Sequence, residues 1–100
     1  MKQLKDILQG IDVVDQTGSL EREIASLGFD SRQVEAGSLF VAVRGLTVDG
    51  HDYIDKAEKQ GATAIVCERM PESCSNGTAY LVVNDSSEAL GKMAANFFDH

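Results

Sequence analysis

Two short apolar runs constrain the fold of this chain more than any other feature. Residues 38–43 read SLFVAV and residues 62–67 read ATAIVC. Nearly continuous apolarity over so few residues is typical of strands that are covered on both faces. A crossover of about twenty residues separates the runs, and residues 51–60 within it carry apolar side chains at helical spacing. The sequence therefore predicts a parallel βαβ unit, with the strand at 38–43 central in its sheet.

The patterns outside this unit predict further helices and strands. Asp85 stands where a helix N-cap is expected, and Glu88 three residues later completes a capping box. The other predicted elements are a helix over 2–9 that ends at Gly10, strands over 11–15, 23–29 and 78–83, and turns at 16–19 and 33–37. The expected fold class is α/β, a small mixed sheet with flanking helices around the parallel βαβ unit. One hundred residues have room for one such core.

The charge and the cysteines exclude several classes of partner. Nine Lys and Arg against sixteen Asp and Glu give a formal net charge of -7. Nucleic acid and anionic membrane surfaces therefore find no basic face to bind. No apolar run approaches the roughly 18 residues of a membrane span, so we expect no membrane insertion and a cytoplasmic location. Cys67 and Cys74 lack the spacing and the nearby histidine of a zinc or redox site.

The loop after the first apolar run has the glycine spacing of a phosphate-binding loop but not its chemistry. Residues 45–51 read GLTVDGH, and His51 stands where such a loop needs a lysine. Without that lysine and the hydroxyl that follows it, the loop cannot hold the phosphates and magnesium of ATP. We expect the acidic residues around it, Asp49, Asp52 and Asp55, to cap a helix rather than to bind a metal with His51.

The three residues Asp30-Ser31-Arg32, just past a predicted strand, allow two interpretations. In the structural one, Asp30 bonds the backbone of its own turn and Arg32 pairs with a carboxylate. In the functional one, Ser31 and nearby backbone N–H groups face a ligand at the strand ends, where open α/β sheets commonly bind ligands. Spacing alone does not decide between them.

A longer pattern around these three residues resembles a known family. Residues 30–45 read DSRQVEAGSLFVAVRG, residues 49–54 read DGHDYI, and Ala57, Gly61 and Ala62 follow. The combination of D-S-R, G-S-L-F-V-A and D-G-H in this order resembles the N-terminal domain of the Mur ligases of peptidoglycan synthesis. Within that family the order is most similar to the tripeptide-forming ligases, which add the third residue of the stem peptide. The pentapeptide-forming ligases share the central motifs and are the alternative.

The resemblance implies that this chain binds the UDP end of UDP-MurNAc-L-Ala-D-Glu. In the family, contacts come from the residue before D-S-R, from the serine within it, and from the loop after G-S-L-F-V-A. The corresponding positions here are Phe29, Ser31, Leu46, Thr47 and Val48. Hydroxyls and apolar side chains of this kind suit a nucleotide with a uracil ring. Leu46 and Thr47 stand where some members have a more polar pair.

Two arginines near these loops have two possible roles each. Arg32 lies in the D-S-R turn and Arg44 follows the first apolar run. Either side chain can face the pyrophosphate of the substrate, or support the fold through a salt bridge. The sequence leaves both roles open for both residues.

The resemblance also implies a division of the chain. Residues 1–85 would form the substrate-binding domain, and residues 86–100 a helix that leads toward an ATP-binding central domain absent from this chain. The last apolar helical pattern reaches the final residues without a stop signal, which fits a chain cut within a longer protein. The expected partners of the domain are the substrate and the enzyme's own central and C-terminal domains.

The activity implied for the whole enzyme is ATP-dependent amide formation. ATP and Mg2+ act there as cofactors, whereas this chain is expected to contain no cofactor, no metal and no catalytic residue. The 100 residues alone are therefore expected to be inactive. The motifs do not tell whether meso-diaminopimelate or L-lysine is added. Two functions of another class stay open, a non-catalytic nucleotide-binding module and a docking module.

Overall fold

The computed structural model describes residues 2–45 and 47–98, and these residues form two sheets and three helices. The helices are α1 (Leu4–Ile7), α2 (Ile54–Lys59) and α3 (Ser86–Phe97). The strands are β1 (Lys2–Gln3), β2 (Asp15–Thr17), β3 (Glu23–Ile24), β4 (Ser26–Gly28), β5 (Ser38–Val41), β6 (Ala64–Cys67) and β7 (Ala79–Val82). Short 3-10 helices occupy Ser31–Gln33 and Gly50–Tyr53. Among the described residues, no helix has both the length and the apolar character that crossing a membrane requires.

Five strands form the main sheet, in the order β2-β7-β6-β5-β4. Strands β4 to β7 pair in parallel, and β2 pairs antiparallel with β7. The run at 38–43 supplies β5 and the run at 62–67 supplies β6, so the parallel βαβ unit and the mixed α/β sheet are confirmed. The middle strand is β6 rather than β5, because β7 and β2 both lie beyond β6 while only β4 lies beyond β5.

The first strands of the chain differ from the prediction because distant partners place them. The predicted helix over 2–9 begins only at Leu4, since the two residues before it form β1 and pair with β3. The strand predicted over 11–15 shares only Asp15 with the observed β2, which continues through Thr17 into the predicted turn, where β7 provides its partner. Local alternation of side chains cannot reveal a partner about sixty residues away along the chain.

The strand predicted over 23–29 is two strands in two different sheets. β3 pairs with β1 in a small antiparallel sheet, and β4 pairs with β5 at the edge of the main sheet. Ala25, between them, donates its backbone N–H to the carbonyl oxygen of Gly37 at 2.9 Å. The predicted helix over 51–60 also divides, into the 3-10 helix Gly50–Tyr53 and α2.

Both faces of the main sheet are covered, which explains the nearly continuous apolar runs. α1 and α3 cover one face, whose buried side chains include Leu4, Ile7, Leu8, Ile24, Leu39, Val41, Val66, Leu81 and Met93. α2 covers the other face, whose buried side chains include Phe40, Ala42, Ile54, Ala57, Ile65, Cys67 and Tyr80. Successive residues of β5 and β6 therefore pack into opposite clusters, as the pleat of a strand requires.

The last helix belongs to the same packed unit as the sheet. Its N-cap Asp85 accepts a hydrogen bond from the backbone N–H of Glu88 at 3.1 Å, as the sequence predicts. Near its other end, Asn96 Nδ2 donates to the carbonyl oxygens of Ile7 and Gln9 at 2.8 and 2.9 Å. These bonds supply partners for carbonyls at the end of α1, which the helix itself leaves unpaired. The continuation of α3 toward a further domain stays a prediction.

Gly61 ends the helical crossover in a conformation that other residues rarely adopt. Its φ is +106°, and a Cβ built on it would lie 2.8 Å from the Cα of Ala36. We expect Gly61→Ala to lower the free energy of unfolding by more than about 1 kcal/mol, because both the backbone and that contact must shift. Denaturant unfolding monitored by circular dichroism measures the change.

The matched control is Gly91→Ala on the exposed side of α3. No atom lies within 4 Å of a Cβ built on Gly91, and its φ is not in the left-handed region. Alanine there should raise the free energy of unfolding by about 0.5–1 kcal/mol, because glycine is a poor helix former. Equal effects of the two substitutions would contradict this account of Gly61.

Candidate functional site

A cleft of about 630 Å³ opens where β4 and β5 end. Because the two strands are parallel, their carboxyl ends meet at one edge of the sheet, where open α/β sheets commonly bind ligands. The lining residues come from the turn at 29–32, from Phe40 in β5, from the loop after β5 (Val43, Gly45, Val48 and Gly50), and from Tyr53 and Lys56 at the start of the crossover helix.

The first wall of the cleft is a turn that Asp30 and Arg32 fix together. Asp30 Oδ1 accepts the backbone N–H of Arg32 at 2.9 Å and its Nε at 3.0 Å, while Asp30 Oδ2 accepts Arg32 Nη2 at 2.8 Å. Hydrogen bonds from the Arg32 side chain and backbone lower the pKa of Asp30 to about 2. Arg32 lines the cleft. Its charge is paired with the Asp30 carboxylate two residues away, as the structural interpretation of this turn expects.

Ser31 lies buried in the same turn and lines the cleft. Gln60, at the end of α2, donates from Nε2 to the carbonyl oxygens of Ser31 at 2.5 Å and Val34 at 3.0 Å. The turn is therefore anchored to the crossover helix through its backbone. Among residues 2–45 and 47–98, no residue forms a hydrogen bond with the Ser31 hydroxyl, although the residue lines the cleft.

The second wall is a narrow backbone hairpin after β5. Gly45 N donates to Val48 O at 2.7 Å, and Arg44 and Asp49 face each other in an antiparallel bridge. Gly50 N then donates to Val43 O at 2.9 Å. A Cβ on Gly50 would lie 2.7 Å from the backbone nitrogen of Val43, so only glycine permits this approach.

His51 holds the base of this hairpin as a neutral side chain. Its ring is buried, and Nε2 accepts the backbone N–H of Glu68 at 2.9 Å. Nδ1 therefore carries the proton and donates to Asp49 Oδ1 at 2.8 Å. Asp49 also accepts the backbone N–H of His51 at 3.0 Å, which lowers the pKa of Asp49 and confirms its predicted capping role.

Glu68 connects the hairpin to the start of α3. Its Oε2 accepts the backbone N–H of Ser86 at 2.9 Å and the Ser86 hydroxyl at 3.2 Å. Its Oε1 lies 3.5 Å from Arg44 Nη2. Arg44 therefore pairs with Glu68 and does not line the cleft, which favours its role in the fold. Among the described residues, no three His, Cys, Asp or Glu side chains are placed to hold a metal ion.

Three large apolar side chains stand exposed around the cleft. Phe29 is 61% exposed, Val48 52% and Tyr53 39%, and all three line it. Exposed aromatic and aliphatic side chains gathered at one opening mark a binding surface rather than a packing defect. Their surfaces are suited to cover the face of a flat ring.

The structure brings most of the predicted site residues to one place. Phe29, Ser31 and Val48 line the cleft together. Thr47 is exposed in the hairpin but does not line the cleft, and Leu46 lies outside the described residues.

Sequence reasoning missed Tyr53, Lys56 and Gln60. Tyr53 and Lys56 line the cleft three positions apart, a spacing that places side chains on one helical face. That spacing is a signal the sequence contained. The role of Gln60 depends on contacts to a distant turn and left no local signal.

The comparisons with known proteins agree with this geometry. The sequence model described as "Mur ligase family, catalytic domain" matches residues 23–98. A 2,6-diaminopimelate-adding UDP-N-acetylmuramoyl-L-alanyl-D-glutamate ligase of Cytophaga hutchinsonii is 43% identical over 97% of this chain and 20% of its own length. The ligase of the same name in Bacteroides fragilis is 47% identical over 95% of this chain and 20% of its own.

Solved structures of two further ligases have the same fold. The D-alanyl-D-alanyl-adding ligase of Acinetobacter baumannii superposes with a TM-score of 0.67 at 32% identity, over 94% of this chain and 20% of that one. MurF ligase of Thermotoga maritima, in complex with ADP, superposes with a TM-score of 0.59 at 38% identity, over 73% of this chain and 16% of that one.

The fold defines an α/β domain with a cleft at its parallel strand ends. The match over residues 23–98 shows more, and the chain belongs to the Mur ligase family. The family predicted from D-S-R, G-S-L-F-V-A and D-G-H is thereby confirmed. The chain spans about one fifth of the length of the curated relatives it matches.

The Asp30 to Arg32 pair should make stability depend on acid pH. The pKa of Asp30 lies near 2 in the fold instead of 3.8, so its stabilising effect is complete above pH 3.8 and is lost as the pH falls toward 2. We expect Asp30→Asn to melt below the wild type at pH 7 but together with it near pH 2. Thermal unfolding at both pH values measures this, and the same difference at both would contradict it.

Proposed function

We propose that this chain binds the UDP end of UDP-MurNAc-L-Ala-D-Glu, as one domain of an ATP-dependent ligase that adds the third residue of the peptidoglycan peptide. The observation that carries the proposal is the cleft at the ends of β4 and β5, in a chain that belongs to the Mur ligase family. Relatives at 42–47% identity carry the name of the diaminopimelate-adding ligase, whose substrate is UDP-N-acetylmuramoyl-L-alanyl-D-glutamate.

The chemistry of the cleft supports a uridine nucleotide as ligand. Phe29, Val48 and Tyr53 provide an apolar wall for the uracil ring, and the Ser31 hydroxyl provides a hydrogen-bonding group beside it. A site of this kind, mostly apolar with a few placed polar groups, fixes a ligand's orientation. Contacts from Leu46 and Thr47 complete the proposed set and stay predictions.

The reaction itself belongs to the proposed whole enzyme. ATP phosphorylates the terminal D-Glu carboxylate, which gives an acyl phosphate and ADP. The amine of the incoming amino acid then attacks the acyl carbon, forms the amide and releases phosphate. ATP, Mg2+ and the central and C-terminal domains supply these steps in our proposal, in the cytoplasm, and the ADP complex of the Thermotoga maritima relative fits the nucleotide requirement.

A ligase assay tests the proposal. The intact gene product that carries this chain is incubated with UDP-MurNAc-L-Ala-D-Glu, ATP, Mg2+ and either meso-diaminopimelate or L-lysine. Phosphate release and the UDP-linked tripeptide are measured, and one of the two amino acids should give product. The 100 residues alone should give none, since no described segment offers a triphosphate site. Product from the 100 residues alone would contradict our assignment of this chain to binding only.

The pentapeptide-forming ligases are the second candidate, because solved structures of D-alanyl-D-alanyl-adding ligases share the fold. The two solved structures of that class are 32% and 38% identical to this chain, below the 42–47% of three diaminopimelate-adding relatives. The same assay with the UDP-linked tripeptide and D-Ala-D-Ala discriminates the two. Turnover of that pair, without turnover of the dipeptide substrate, would overturn our choice.

A non-catalytic nucleotide-binding module and a docking module are the candidates of another class. Calorimetric titration with UDP, ATP and UDP-MurNAc-L-Ala-D-Glu separates them from a ligase domain. Binding of the UDP compounds supports the proposal, whereas binding of ATP alone supports a different nucleotide module. Binding of none of them supports a docking module.

Ser31 is the residue whose change tests the cleft most simply. We expect Ser31→Ala to weaken binding of UDP-MurNAc-L-Ala-D-Glu about 2- to 13-fold, because one hydrogen bond is worth roughly 0.5–1.5 kcal/mol. The melting temperature should stay unchanged, since the hydroxyl bonds no described residue. Ser87→Ala, at an exposed position of α3, is the control and should bind as the wild type does. An unchanged affinity with a lowered melting temperature would make Ser31 structural.

A further inference from the structure

Lys56 gives the cleft a positive charge that the fold does not use. It is the third residue of the six-residue helix α2, is exposed to solvent and lines the cleft. Within residues 2–45 and 47–98, it forms neither an ion pair nor a side-chain hydrogen bond. We propose that Lys56 binds the diphosphate of a nucleoside diphosphate ligand, with the nucleobase against the apolar wall. This inference rests on the proposed function and assigns its anion-binding residue.

Of the charged side chains described in the cleft lining, Lys56 is the one whose charge is not paired with an opposite charge. Asp30 and Arg32 neutralise each other through two side-chain hydrogen bonds. Arg44 pairs with Glu68 away from the cleft, and His51 is neutral. The described cleft lining therefore carries one net positive charge, in a chain whose formal net charge is -7. A local cation in an acidic protein is what an anionic ligand requires.

Lys56 lines the same cleft as the apolar side chains that would cover a nucleobase. Tyr53, one helical turn earlier, belongs to the apolar wall together with Phe29 and Val48. The Lys56 charge adds to the stronger effect of Arg32 in lowering the pKa of Asp30. The cleft lining thus combines apolar side chains for a base with one cation for phosphates. An ammonium group on a flexible stem contacts phosphate oxygens as a point charge.

The test compares uridine with UDP on the intact gene product, because the two ligands differ only in the diphosphate. Calorimetry gives the affinities of both for the wild type, Lys56→Gln, Lys56→Arg and Lys59→Gln. Lys59 is exposed on the same helix but does not line the cleft. Lys59→Gln therefore removes the same charge as Lys56→Gln without changing the cleft. Lys56→Gln should weaken UDP binding about 5- to 20-fold and leave uridine binding unchanged. Lys56→Arg should restore most of the UDP affinity, and Lys59→Gln should stay within about twofold of the wild type.

Salt dependence provides a second readout. The UDP affinity of the wild type should decrease as the salt concentration rises from 50 to 300 mM. The UDP affinity of Lys56→Gln should decrease less over the same range. Equal UDP affinities for Lys56→Gln and Lys59→Gln would overturn the inference while leaving the proposed function intact. A wild-type protein that binds neither UDP nor UDP-MurNAc-L-Ala-D-Glu would contradict the proposed function itself, and the inference with it.

Discussion

The parallel pairing of β4 with β5 determines where this molecule can bind a ligand. The register places Gly28 beside Phe40, so the chain leaves both strands at the same edge of the sheet. The turn at 29–32 and the hairpin after β5 therefore face each other across a cleft. The crossover to β6 begins at this edge too, and it brings Tyr53 and Lys56 to the opening.

Most polar groups at this edge hold the backbone in place. Asp30 and Arg32 fix the first turn, and His51 joins the hairpin to Glu68. Glu68 in turn holds the start of α3, so the loops after β5, β6 and β7 form one connected network. Because these groups satisfy one another, the cleft keeps its shape without a ligand, which lowers the entropy lost on binding. Among the described residues that line the cleft, the hydroxyls of Ser31 and Tyr53 and the ammonium group of Lys56 are left for a ligand.

The sequence predicted the centre of the fold and named three residues that line the cleft, for different reasons. Runs of buried residues in β5 and β6 are local signals, and so are the caps at Asp49 and Asp85. The site positions Phe29, Ser31 and Val48 came from a family resemblance, and the structure brings them to one cleft.

The parts of the fold and of the cleft that the sequence did not predict depend on contacts between residues far apart in the chain. β2 forms where β7 offers a partner, and β3 separates from β4 because each has its own partner strand. Gln60 reaches Ser31 across twenty-nine positions. Lys56 becomes notable only when the structure shows that neighbouring arginines are paired and it is not. Local patterns contain no information of this kind.

In our proposal, the cleft at the ends of β4 and β5 holds the uridine diphosphate of the substrate. A crystal structure of the intact gene product with UDP-MurNAc-L-Ala-D-Glu tests this claim most directly. We expect the uracil against Phe29, Val48 and Tyr53, the Ser31 hydroxyl within hydrogen-bond distance of the nucleotide, and Lys56 Nζ within about 3 Å of a phosphate oxygen. A nucleotide bound elsewhere, with this cleft empty, would contradict the claim.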